Sequence, residues 1–202
     1  GDGRLWIGSD RGEVVRAAWN GRGERDARDA PDTPRAPDAP DTPDAPVVLQ
    51  PLDAAGASTR GSLAAHGVVS ALHEDGQGRL WIGTRRGLGR VELTSGKVSW
   101  IGQPEGLPST DIASIVGDAD GRIWLAHNRG LTRLEPASGV MTHFGDHDGA
   151  QGNGYAEGAW AIGGAGVRGS ALVYLAGEGI TAFDPREVGV SRSTPRTVFT
   201  SL

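Results

Sequence analysis

An all-β architecture, built by repeating one small antiparallel unit, is the fold class this sequence predicts. Three observations predict it. Glycine supplies 33 of the 202 residues, about twice its usual share of roughly 7%, and 12 prolines accompany it. So much turn chemistry, with little sustained helical patterning, points to many short strands. Finally, one hexapeptide returns along the chain. Gly3-Arg4-Leu5-Trp6-Ile7-Gly8 recurs as Gly78-Arg79-Leu80-Trp81-Ile82-Gly83 and again as Gly121-Arg122-Ile123-Trp124-Leu125-Ala126.

Each copy is followed by a turn and a second apolar run: Arg11 to Arg16, Arg86 to Val91 and Arg129 to Leu134. A weaker fourth copy is Leu172 to Gly177, with Tyr174 at the tryptophan position, followed by Gly179 to Pro185. Trp81 and Trp124 are 43 residues apart. Trp6 and Trp81 are 75 apart, and the excess has a visible source in a Pro/Asp/Ala tract ending at Pro46. That tract cannot bury apolar surface and is expected to be a disordered insertion at about 21–46. It lies between the run Val14 to Ala18 and Val47-Val48-Leu49, so it reads as a hairpin-loop insertion rather than an interdomain linker.

The unit can be dissected in order. Asp111 to Val116 reads as a first strand, and Asp118-Ala119-Asp120-Gly121 as a turn. Arg122 to Ala126 is the second strand, and Asn128-Arg129-Gly130 the next turn. Leu131 to Leu134 is the third strand, Pro136 to Gly139 a turn, and Val140 to Phe144 the fourth strand. Four antiparallel strands repeated near every 43 residues make the blade of a β-propeller. Consecutive apolar residues in the second strand fit a sheet covered on both faces. Trp6, Trp81, Trp124 and Tyr174 are therefore read as the repeating core.

At these residues the chain resembles the two-component regulator propeller repeat. The resemblance rests on Glu105-Gly106-Leu107-Pro108-Ser109, Ile112, Ile115, Asp118, Gly121, Trp124, Gly130-Leu131, Arg133 and Glu135-Pro136. It rests equally on Val69, Leu72, Asp75, Gly78, Trp81, Gly83-Thr84, Gly87-Leu88 and Arg90. The fourth unit departs from the pattern and resembles the last blade of such propellers. Thr194 to Leu202 resembles the start of the immunoglobulin-like all-β domain that follows them. The expected layout is a partial blade at 1–62 with the insertion, blades at 63–104 and 105–147, a divergent last blade at 148–188, and the start of the all-β domain at 189–202. About three and a half to four blades are present where propellers close with 4–8, so an incomplete arc of a larger propeller is expected.

The resemblance implies the periplasmic sensor half of a bacterial inner-membrane receptor, with a histidine kinase or diguanylate cyclase as output elsewhere in the polypeptide. It implies a small-molecule or oligosaccharide ligand, and neighbouring blades, the all-β domain and a second copy as packing partners. The chain opens without a start Met or a signal peptide and is read as a segment of something longer.

Composition excludes several other functions. The formal net charge is -5 with no basic block, which disfavours nucleic acid and anionic membrane surfaces. No apolar run approaches the roughly 20 residues of a membrane span. The absence of cysteine removes disulfides, thiolate nucleophiles and Cys-type metal sites.

Three patterns hint at chemistry. Gly164-Ala165-Gly166-Val167-Arg168-Gly169 has dinucleotide-type spacing, but a strand follows it where the fingerprint needs a helix, so a hairpin turn is expected. Asp118-x-Asp120-Gly121 opens like a calcium loop, yet lacks the remaining ligands and reads as a turn. His143, Asp146, His147 and Asp148 cluster, but Gly145 and Gly149 argue against a helix, and a solvated loop is expected. No Gly-x-Ser-x-Gly elbow is present. No catalytic residue, cofactor or metal is therefore assigned. A carbohydrate-active propeller lyase or hydrolase remains the rival reading, and a purely structural scaffold the third. Propeller loops carry function while blades carry stability, so the ligand candidates are rim residues: His66, Ser109, Asp111, Asn153 and Tyr155. Trp160, off the repeating position, is the exposed aromatic candidate.

Overall fold

The computed structural model describes residues 4–18, 48–51, 65–150, 154–163 and 172–188. Among the described residues, fourteen short strands form four antiparallel sheets. The first contains β1 (Arg4–Gly8), β2 (Val14–Ala18) and β3 (Val48–Pro51). The second orders β4 (Val69–Glu74), β5 (Arg79–Thr84), β6 (Gly87–Glu92) and β7 (Lys97–Ile101). The third orders β8 (Ile112–Gly117), β9 (Ile123–His127), β10 (Gly130–Leu134) and β11 (Met141–Phe144). The fourth contains β12 (Tyr155–Gly163), β13 (Leu172–Gly177) and β14 (Ile180–Phe183). Each sheet is a meander in which sequential strands pair. The tract expected to be disordered lies outside the described residues, but β2 and β3 pair antiparallel, so it joins two neighbours of one sheet.

The sheets stack in chain order, with β1 against β4, β4 against β8, and β8 against β12. The hexapeptide explains the stacking. Residues alternate faces along a strand, so the tryptophan points one way and its flanking aliphatics the other. Trp6 packs forward onto Leu80 and Ile82, Trp81 onto Ile123 and Leu125, and Trp124 onto Val173 and Leu175. The core is thus three seams between sheets, and strict alternation of polarity disappears because both faces are covered.

Trp81 and Trp124 are each 1% exposed. Tyr174 occupies the same position but is only half-buried. Among the described residues no further sheet covers its face, and Ile180 on the same sheet is 72% exposed. At the other end Leu5 is 60% exposed, whereas its counterparts Leu80 and Ile123 are fully buried. The described residues therefore form an open arc rather than a closed ring.

Bulges in the inner strands couple the blades. Register shifts between Val69 and Ala71 and between Ile112 and Ser114 turn main-chain groups out of the ladder. The Ser70 hydroxyl donates to the Ile112 carbonyl, and the Ser114 hydroxyl donates to the Ala156 carbonyl at 3.1 Å.

Gly130 opens β10 with φ +114°, and a Cβ there would stand 2.2 Å from the Phe144 carbonyl oxygen. Gly130→Ala is expected to cost about 3 kcal/mol, from left-handed strain plus that clash. Gly121→Ala, at φ +78° in open space, is expected to cost only about 1 kcal/mol. Urea midpoints of the two variants check the difference.

Candidate ligand-binding rim

Strand direction alternates, so the start of β8, the β9–β10 turn and the end of β11 lie at one end of their sheet. The same holds in the other sheets, and these turns together form one rim of the arc.

The rim turns are built alike. Ser9, Thr84 and His127 follow the hexapeptide at equivalent positions. Each accepts a hydrogen bond from the backbone amide of an arginine two residues on: Arg11 to Ser9 Oγ at 3.2 Å, Arg86 to Thr84 Oγ1 at 3.0 Å, and Arg129 to His127 Nδ1 at 3.2 Å. Two of these arginines then clamp the loop entering their blade. Arg86 Nη1 donates to the Ala65 carbonyl, and Arg129 Nη1 donates to the Pro108 carbonyl, both at 3.1 Å. Ser109 Oγ donates to Asn128 Oδ1 at 2.7 Å and accepts from the Asp111 amide at 3.2 Å. Ser109 is buried as a result, while Asp111 remains exposed.

The remaining candidates take different places. His66 is half-buried and stacks on Trp100, with ring centroids 3.4 Å apart. Gly89 makes room for this pair, because a Cβ there would stand 3.1 Å from the Trp100 ring. Tyr155 is buried, and its hydroxyl lies 3.1 Å from Thr181 Oγ1. Asn153 lies outside the described residues, as do Gly164 to Gly169 and the segment 189–202. Trp160 sits on β12, 42% exposed.

A bulge between Tyr155 and Trp160, with Gly158 at φ +66°, pushes Glu157 out of the ladder. Glu157 meets Arg85 of the second blade at 3.0 Å, bridging over the third. Both side chains are about half exposed or more, so the pair contributes little to stability. It does set a carboxylate and a guanidinium side by side at the inner edge of the rim. The sequence reading did not single out either residue, since nothing local announces a bulge.

At the opposite end of the strands, the turn carboxylates are structural. Asp75 Oδ2 accepts from Arg79 Nε at 2.7 Å and from Trp81 Nε1 at 2.8 Å, while Oδ1 accepts the Gln77 and Arg79 amides. Asp118 repeats this with Arg122, Trp124 and the amides of Asp120 and Arg122. Burial works against the Asp75 charge, but the hydrogen bonds from Trp81, Arg79 and the backbone prevail and hold its carboxyl below the ordinary value. Asp118 is thereby committed to nitrogen donors rather than to a calcium ion. Beside it a cleft of about 320 Å³ opens between the third and fourth sheets, lined by Asp118, Arg122, Ile162, Val173 and Pro185 among others.

His143 ends in β11 with Nδ1 3.0 Å from the Leu131 carbonyl. Asp146–Asp148 form a single 3-10 turn where a loop was expected. Gly149 closes it at φ +84°, and Asp148 Oδ2 accepts the Gly145 amide, so the two glycines bound the helical turn instead of preventing it. Among the described residues no three His, Asp or Glu side chains converge as a metal group.

Comparison with known proteins agrees with this architecture. The family described as the two component regulator propeller matches residues 63–86 and 106–129. No curated protein sequence matches the chain. Among solved structures, the extracellular domain assigned to the hybrid two component system BT3049 of B. thetaiotaomicron is similar over 90% of this chain, with TM-score 0.60 and 19% identity. The chain spans only 20% of that structure's length. The corresponding domain assigned to BT4673 of the same organism matches 60% of this chain and 16% of its own, with TM-score 0.46 and 24% identity. The chain is a β-propeller segment in which residues 63–86 and 106–129 are similar to the two component regulator propeller.

Proposed function

We propose that this segment is the ligand-sensing part of an extracytoplasmic receptor domain, non-catalytic in itself, which passes ligand occupancy to an output module elsewhere in the polypeptide. The observation that carries this reading is the pair of two-component regulator propeller repeats set in a stack of blades. A propeller of seams between rigid sheets suits transmission, because a ligand wedged at the rim changes how one blade set meets its neighbour. The rim offers a polyhydroxylated ligand paired donors and acceptors in Arg85, Glu157, Asp111 and Asn128, with Trp160 on the same inner strand as Glu157. An oligosaccharide is the proposed ligand class, and a histidine kinase or diguanylate cyclase the proposed output. A second copy of the receptor and a following all-β domain would relay the shift.

The full receptor in membranes, offered a panel of oligosaccharides, tests the reading. One class is expected to bind with a measurable Kd and to change phosphorylation or cyclase output. Arg85→Ala is expected to weaken that binding at least fivefold with no loss of melting temperature. A panel that neither binds nor changes output overturns the reading.

A further inference from the structure

We propose that His127 is an acid-sensitive strut of the rim, whose protonation releases the β9–β10 turn and with it the loop 108–111. The proposal concerns the shape of the rim and stands whether or not an oligosaccharide binds there.

Hydrogen-bond logic fixes the state of the ring. The Arg129 amide can only donate, so His127 Nδ1 must present a lone pair. The hydrogen therefore sits on Nε2, which donates to Thr132 Oγ1 at 2.8 Å. The side chain is fully buried, with no solvent contact to spare. Its neighbours oppose a positive charge. His143 of β11 lies parallel at 5.5 Å, its Nδ1 donating to the Leu131 carbonyl, and Arg129 stands in the turn itself. Burial first, then His143 and Arg129, lowers the His127 pKa to about 4 from the ordinary 6.5.

A proton taken from solvent by Nδ1 would place N–H against N–H. The Arg129 amide loses its acceptor, and the turn that holds Pro108 and Ser109 through Arg129 and Asn128 loses its anchor. The second and first blades have no such sensitivity, because Thr84 and Ser9 make the same bond with a hydroxyl that does not titrate in this range. The sign follows from linkage: the opened turn takes up a proton near pH 6.5 and the closed turn near pH 4, so closure is complete above 6.5 and weakens as pH falls between them.

Amide hydrogen exchange of the wild-type protein at pH 7.5 and pH 5 tests this, with Arg86 as an internal control. The protection factor of the Arg129 amide is expected to fall about 30-fold, the ratio set by the two proton affinities. The Asp111 amide should follow it, and the Arg86 amide should hold. In His127→Thr, which copies Thr84, the Arg129 protection is expected to be flat with pH. Unchanged Arg129 protection in the wild type, or an equal fall at Arg86, overturns the proposal without any variant having to fold.

Discussion

Asp75→Asn is expected to destabilise the protein by about 3–5 kcal/mol at pH 7, although it removes no volume. The Asp75 carboxylate accepts four N–H donors, two on each oxygen, and its side chain is 6% exposed. Asparagine has one oxygen. Whichever way its amide turns, an NH2 group faces two donors and the Arg79 guanidinium is left buried without its counter-ion. Removing one partner of a buried pair costs of this order. The same geometry gives a pH signature. The folded carboxyl is held below its ordinary value, so its contribution is complete above the unfolded value of 3.8 and is lost as pH falls through the lower folded value. Urea unfolding of wild type and Asp75→Asn between pH 7 and pH 3 checks both points. The gap between the two stability curves should begin to narrow as pH falls below 3.8. A gap of less than about 1 kcal/mol at pH 7 would show that the turn, and not the carboxylate, holds the hairpin.

The role of this carboxylate marks where sequence reading stopped. The aspartates at the β4–β5 and β8–β9 turns are ordinary turn residues by composition, and their Oδ1 atoms do cap the turn. The second role was written in the spacing: Asp75, Arg79 and Trp81 recur at equal intervals as Asp118, Arg122 and Trp124. Only the pairing of adjacent strands shows that the interval brings Oδ2 to both the guanidinium and the indole. The repeat itself was legible because each hexapeptide is a local pattern with a fixed period. The strands of the third sheet start and end within one residue or so of the pattern-based reading. The rim was legible only in outline. Ser109 is spent on holding Asn128, His66 on stacking with Trp100, and Tyr155 on Thr181, since each partner lies far away in sequence, in the β9–β10 turn, on β7 and on β14 respectively. His127 escaped notice because one histidine in an apolar strand carries no motif. Its meaning appears only when Ser9 and Thr84 are laid over it. Tyr174 of the last sheet read as core by analogy, yet it is half exposed, and among the described residues no further sheet covers its face.

Trp124→Ala is expected to cost about 3–5 kcal/mol, as large aromatic truncations in packed cores do. The indole is 1% exposed, centred 4.6 Å from the Phe183 ring and 5.7 Å from the Phe144 ring, with the Arg133 guanidinium 5.9 Å away. Its loss empties the seam between the third and fourth sheets and leaves Asp118 Oδ2 with one donor fewer. If stability resides in seams, the damage should be local, as in repeat proteins whose units contact only their neighbours. Amides of β13 are then expected to lose protection more than those of β5, which lies across the next seam. The same logic ranks equivalent substitutions. Trp6→Ala removes a half-buried ring bonded to Glu74 and should cost less, and Tyr174→Ala, on a face that no sheet covers among the described residues, should cost least. Equal losses at all three positions, or uniform loss of protection across the sheets in Trp124→Ala, would mean that the hexapeptide stabilises each sheet from within. The three tryptophan-lined seams would then follow from the sheets rather than hold the arc together.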